Sequence, residues 1–270
     1  MKLQTSRRYY RRKGPRINTL KKGVYILPNF LTSLSLLFGF YSIVSTLQGD
    51  FLRAAWAVVI AGVFDSLDGR IARMIHSTTK FGVEYDSLSD LVAFGVAPAV
   101  LAHGLVLHQY GRWGWLAAFL YVACGAIRLA RFNTSVNTVT VKTKFFQGLP
   151  IPGAAGMVVT TVIFCFHFNI VDTKLVSIFF LLTIYVVAFL MVSSIRFKSF
   201  KDLDLRSKKP VNSVIVVILL ICVIASEPQI MLFAIGLIYL FSGPAGYVFN
   251  LIRKKRVKEK EVIQAGDSDG

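Results

Sequence analysis

The sequence predicts an all-α integral membrane protein of about eight transmembrane helices. Both termini face the cytoplasm, and an amphipathic helix lies on the inner surface ahead of the first span. Three observations lead there. The 270 residues are 54% hydrophobic, with a mean hydropathy of +0.59, more apolar than soluble domains of this size. Several runs exceed about 17 residues with few charges, the length a helix needs to cross hydrocarbon. The net charge of +17 is unevenly placed: with the N-terminus inside, only Arg53, Arg112 and Lys174 of the 31 Lys and Arg lie near the outer side. That asymmetry follows the positive-inside rule, and two cytoplasmic ends require an even number of spans. The basic clusters border the spans, so anionic lipid headgroups are their partners and nucleic acid is excluded.

Residues 1–16 form a basic arm, RRYYRRKGPR at its centre. Ile17, Leu20, Val24 and Leu27 then share one helical stripe with Lys21 and Lys22 off it, the pattern of an interfacial helix. Arm and helix together make a first region, 1–28. Spans follow at 29–48, 52–73, 82–107, 112–133, 150–169 and 172–195, a six-helix core within 29–200. Two further spans, 211–226 and 229–251, fall in 201–252. The outer turns are short, near Gln48-Gly49-Asp50, Gly111, Asn169 and Glu227-Pro228. Tyr110, Trp113 and Trp115 suit an aromatic belt there. The inner connections, 74–81, 134–149 and 196–210, are longer and polar. The tail, 253–270, is charged, cytoplasmic and expected to lack structure beyond about residue 258. Cys124, Cys165 and Cys222 all lie in apolar spans, and neither they nor the four histidines show metal-ligand spacing.

The chemistry concentrates in DSLDGRIARMIHSTTKFGVEYDSLSD, residues 65–90. On a helix Asp65, Asp68, Gly69, Ala72 and Arg73 share one face, as do Gly82, Asp86 and Asp90 on the next. The link between Arg73 and Gly82 lets the two helices run antiparallel with these faces opposed near the inner surface. A carboxylate inside a bilayer costs about 2.5–3.5 kcal/mol, and four together repel unless a cation joins them. Oxygen-only donors suit Mg²⁺ or Mn²⁺, and two such ions can flank a transferring phosphoryl group. Gly69, Ala72 and Gly82 let a ligand approach the backbone. Arg73 can fork onto phosphate oxygens. One aspartate can accept a proton from an attacking hydroxyl. A divalent-cation pathway is the competing reading, but it leaves Gly69, Ala72, Arg73 and Gly82 without a task.

From Asp68 the chain reads D-G-x2-A-R-x8-G-x3-D-x3-D, preceded by Asp65. This resembles the signature of the CDP-alcohol phosphatidyltransferases at every fixed position. The resemblance implies a polytopic enzyme with two divalent cations, Mg²⁺ or Mn²⁺, that cleaves the diphosphate of a CDP-linked lipid. It implies Asp65, Asp68, Asp86 and Asp90 as metal ligands, with Asp90 also the general base. Asp68, Gly69, Ala72, Arg73, Thr79 and Gly82 would hold the CDP-lipid. The PNFLT start of the first span, similar to the family's nucleotide-contacting helix start, adds Asn29 and Thr32.

DSLSDLVAFGVAPA (86–99), AIRLARFN (126–133) and FFQGLPIPGAA (145–155) resemble the membrane-embedded phosphatidylserine synthase branch of that family. The implied reaction joins CDP-diacylglycerol to L-serine, giving phosphatidylserine and CMP. The site would lie at the cytoplasmic face of an inner membrane of bacterial type, in a homodimer. Glycerol 3-phosphate, inositol phosphate and choline are the alternative acceptors. Serine carries a carboxylate, so a cation must meet it: Arg128 or Arg131, with Arg131 slightly favoured and Asn133 nearby.

Overall fold

The computed structural model describes residues 26–75, 79–136, 145–171, 173–198 and 226–267. Seven long helices account for most of them. They are α1 (Ile26–Leu47), α2 (Phe51–Met74), α3 (Lys80–Leu105), α4 (Arg112–Val136), α5 (Ile151–His167), α6 (Lys174–Val192) and α7 (Pro228–Asp267). Each coincides with an expected span. The 211–226 span, the basic arm and nearly all of the interfacial stripe lie outside the described residues.

Five of the helices are long and apolar enough to cross a membrane: α1, α3, α4, α6 and the Pro228–Tyr247 part of α7. The 17-residue α5 is apolar but shorter. Helix α2 is long enough, but it carries Arg53, Asp65, Asp68, Arg70 and Arg73.

The bundle is built as lipid-solvated helices are. On α1 the buried positions are Pro28, Thr32, Ser35, Gly39, Ser42, Ser45 and Thr46, whereas Leu37, Phe40 and Tyr41 are exposed. Small residues face inward because lipid tails match Leu and Phe in polarity, leaving close packing to hold helices together. Alanines 54, 55, 57 and 61 of α2 and alanines 93, 97, 99 and 102 of α3 are fully or nearly fully buried. At Gly39 an added Cβ would sit 2.6 Å from Ala93 Cα, so α1 and α3 meet backbone to backbone there.

The turns between α1 and α2, α3 and α4, and α5 and α6 pass through left-handed residues: Gly49 (φ 83°), Gly111 (φ 52°) and Asn169 (φ 52°). These are residue types that tolerate that conformation. All three turns lie at one end of the bundle. The N-termini of α1, α3 and α5 and the C-termini of α2, α4 and α6 gather at the other.

Three features depart from the sequence reading. Helix α3 is not uniformly α: Leu91–Val96 is a π-helical turn, with the Ala97 N–H donating to the Val92 carbonyl. Pro98 accounts for part of this, because it has no N–H for the Phe94 carbonyl four residues back. The hydroxyl of the fully buried Tyr121 on α4 donates to that carbonyl at 3.0 Å.

The described residues are not wholly helical. Strand β1 (Phe145–Gln147) pairs antiparallel with β2 (Arg196–Lys198), Phe146 opposite Phe197. Three residues are too few to display a period of two. Finally, the charged tail is not irregular past residue 258 but continues α7 to Asp267. Its run of Lys, Arg, Glu and Gln consists of good helix formers.

Candidate active site

The site lies at the end of the bundle away from the left-handed turns, where α1 begins, α2 ends and α3 begins. Helix α3 starts at a local signal: Thr79 has an extended backbone, and its hydroxyl accepts from the Gly82 N–H at 2.9 Å. This caps one of the unpaired donors of the first turn. The cap fixes where the helix begins, and so sets Asp86 and Asp90 on the face toward α2.

One carboxylate oxygen from each of Asp65, Asp68 and Asp86 lies within 4.8 Å of the others. Asp90, one turn beyond Asp86 on α3, stands outside this trio but close enough to Asp65 for the two carboxyls to influence each other. Two carboxyls that close share a proton or a cation. Asp68 is only 5% exposed. It is held by the hydroxyl of Thr32, which donates to Oδ2 at 2.7 Å. The Ser89 hydroxyl donates in turn to the Thr32 carbonyl at 3.1 Å. So α1, α2 and α3 are joined through the carboxylate cluster. Its donors are all hard oxygens, convergent and drawn from two rigid helices, which fits a hard divalent cation.

The other expected contacts gather around it. A Cβ at Gly82 would lie 3.1 Å from Thr79 Oγ1 and 3.3 Å from Asn29 Oδ1, so those three residues converge on one spot. A Cβ at Gly69 would meet the Arg73 guanidinium at 3.4 Å. Arg73 thus folds back over Gly69, close enough to Asp68 to interact with its charge. Ala72 is half-buried on the same face of α2.

The acceptor candidates diverge. Arg128 is half-buried, its Nε has no hydrogen-bond partner, and its guanidinium interacts with the charge of Asp90. Arg131, the residue the sequence favours, is exposed and donates to the Val192 carbonyl at the end of α6 at 3.1 Å. Three positions apart they lie within about 60° of each other around the helix, so it is the reach of the long side chains, Arg131 to α6, that separates them. Asn133 donates to Ser87 Oγ at 3.0 Å and to Glu84 at 3.4 Å, binding α4 to the first turns of α3.

Sequence reasoning did not find Ser33, whose hydroxyl lies 2.8 Å from that of Tyr85, nor Ser89. Ser89 directly precedes Asp90, a position that could have drawn notice.

Comparison with known proteins agrees with this geometry. The family model described as CDP-alcohol phosphatidyltransferase matches residues 25–192. A CDP-diacylglycerol–serine O-phosphatidyltransferase from Helicobacter pylori is 36% identical over 230 residues, covering 85% of this chain and 94% of its own. The Saccharomyces cerevisiae protein of the same name is 38% identical over 144 residues, 49% of this chain and 51% of its own. An archaetidylserine synthase from Methanothermobacter thermautotrophicus is 36% identical over 176 residues, 63% of this chain and 69% of its own. The matched region contains the helices that supply the four aspartates, and the chain belongs to the CDP-alcohol phosphatidyltransferase family.

Proposed function

We infer that this chain transfers the phosphatidyl group of CDP-diacylglycerol to the hydroxyl of L-serine, giving phosphatidylserine and CMP. The observation that carries the reading is the convergence of Asp65, Asp68 and Asp86 within 4.8 Å, with Asp90 one turn further along α3. The name of the Helicobacter pylori relative, matched over 94% of its length, supplies the acceptor.

Asp65, Asp68, Asp86 and Asp90 would hold two divalent cations, Mg²⁺ or Mn²⁺. Bound there, the cations offset the negative charge of the diphosphate. The protein does the remainder by placement. Asn29, Thr32, Thr79 and Gly82 bound the nucleotide side of the site, and Gly69 and Ala72 leave room for the diphosphate beside α2. Arg73 offers its N–H donors to phosphate oxygens. The serine hydroxyl attacks the phosphorus that bears diacylglycerol, and its proton passes to Asp90. The bond from that phosphorus to the CMP oxygen breaks, and CMP leaves. Arg128 receives the serine carboxylate; Arg131 is occupied at α6, and Asn133 secures α4 beside the site.

The wider arrangement follows the same reading. The chain crosses an inner membrane of bacterial type eight times with both ends cytoplasmic and an interfacial helix before the first span. The site then opens to cytoplasmic serine and CDP, while the acyl chains stay in the bilayer. Support comes from the basic residues Arg70, Arg73, Lys80, Arg128 and Arg131 at the site end, against Arg53, Arg112 and Lys174 at the other. The N-terminal arm meets anionic headgroups. Homodimer formation rests on the family resemblance.

The test is incorporation of labelled serine into lipid by the detergent-purified protein supplied with CDP-diacylglycerol, with CMP release measured alongside. Serine-dependent CMP release is expected. Release that needs glycerol 3-phosphate, inositol phosphate or choline instead would overturn the choice of acceptor. Metal flux in liposomes without CMP release would overturn the chemistry.

A further inference from the structure

Helix α1 turns a stripe of small polar residues inward, and two of its hydroxyls are unlike the others. Thr32, Ser33 and Thr46 each donate to the carbonyl four residues earlier, at 3.1, 2.8 and 2.9 Å, a common resting place for a hydroxyl on a helix. Ser35 and Ser42 do not. Both are buried, 2% and 0% exposed, and neither Oγ has a hydrogen-bond partner among the described residues. A buried hydroxyl without a partner weakens a fold, so each calls for a reason.

Their surroundings differ. Helices α1 and α2 run antiparallel, and two contacts fix their register. Thr32 donates to Asp68 at 2.7 Å, and deeper in the bundle Phe38 stacks on Phe64 with centroids 5.4 Å apart. Ser35 lies three residues inward from Thr32, and Asp65 three residues inward from Asp68, about 4.5 Å along each axis. The register therefore sets Ser35 level with Asp65. Helix α3 gives the same depth: the Ser89 hydroxyl reaches the Thr32 carbonyl at 3.1 Å, and Gly39 packs against Ala93. Ser35 and Asp90 both fall between those two contacts. Ser35 also shares its face of α1 with Thr32 and Gly39, as spacings of three and four require. Ser42 lies beyond the Gly39–Ala93 contact, about 10 Å deeper than Ser35 along the helix and away from the carboxylate cluster.

We propose that Ser35 is a positioning residue of the metal centre: with a cation bound, its hydroxyl donates to the Asp65 carboxylate, as that of Thr32 donates to Asp68. The inference rests on the carboxylates holding a cation. A supporting donor fixes which carboxylate oxygen is turned to the metal. One stripe of α1 then braces both aspartates of α2, a task that close packing alone does not give a hydroxyl.

The test is Mn²⁺ binding to the detergent-purified full-length protein without substrates, read from the loss of the free-ion electron paramagnetic resonance signal. In Ser35→Ala the dissociation constant should rise about tenfold, within the range for groups that support a metal ligand. In Ser42→Ala, the same change away from the aspartates, it should move by less than about twofold. Neither variant should lower the Tm of the metal-free protein, because each removes a hydroxyl that has no partner there. The upward shift in Tm that Mn²⁺ gives the wild type should shrink in Ser35→Ala only. In an Asp65→Ala background Ser35→Ala should add less than about twofold to the dissociation constant. An unchanged affinity in Ser35→Ala, an equal loss in Ser42→Ala, or full additivity with Asp65→Ala would overturn the proposal while leaving the proposed reaction intact. A wild type that binds no Mn²⁺ would remove both.

Discussion

At the scale of single residues the site is a cluster of carboxylates, of which Asp68 is held by the Thr32 hydroxyl. Asp90→Asn keeps shape and loses the proton acceptor. Serine incorporation should fall about 100- to 10,000-fold, the range for general-base catalysis, while CDP-diacylglycerol still protects the protein from thermal unfolding. Thr32→Val removes the 2.7 Å donor to Asp68 at constant volume. Loss of such a supporting contact typically weakens metal affinity or activity by about 10–100-fold, so the Mn²⁺ concentration for half-maximal activity should rise on that scale. The aspartates were legible in the sequence because spacings of three and four fix which side chains share a helix face. The Thr32–Asp68 contact was not, since it joins positions 36 apart on helices whose mutual rotation no local spacing encodes. For the same reason Arg128 and Arg131, both basic and one turn apart, could not be told apart until α6 and the carboxylates were in place.

At the scale of elements, the π turn of α3 is the feature with most to test. It follows directly on Asp90, and the Phe94 carbonyl it leaves without a helical donor is satisfied by Tyr121. Tyr121→Phe leaves that buried carbonyl unpaired, which costs about 1–3 kcal/mol. The expected outcome is a lower Tm in detergent, with Asp90-dependent turnover reduced because the turn beside it loosens. An unchanged Tm would show that the carbonyl finds another donor. The sequence offered Pro98 as a cue, yet one proline is compatible with a kink, a 3₁₀ turn or a π turn. The choice was made by Tyr121 on another helix. The ribbon between 145–147 and 196–198 was equally hidden, each strand being too short to leave a pattern. The start of α3 was set by a cap the sequence reading passed over: the span was expected from residue 82, whereas the Thr79 hydroxyl caps a helix that begins at Lys80.

At the scale of the whole molecule, the hydropathy profile revealed the helices and the charge asymmetry suggested their order through the bilayer, because both are sums over many residues. Metal dependence is the matching global prediction. Dialysis against a chelator should abolish CMP release, and adding Mg²⁺ or Mn²⁺ should restore it; turnover that survives thorough demetallation would contradict the carboxylate centre. The charged second helix bears on how the protein is made. With Asp65, Asp68, Arg70 and Arg73 in its second half, and each Asp or Arg near mid-membrane costing about 2.5–3.5 kcal/mol, α2 is a poor passenger for the insertion machinery. Its strongly apolar predecessor has its inner face lined with hydroxyls and glycine. The two would therefore leave the translocon as a paired hairpin, the first escorting the second, and Asp65 and Asp68 would enter the bilayer already sheltered from lipid.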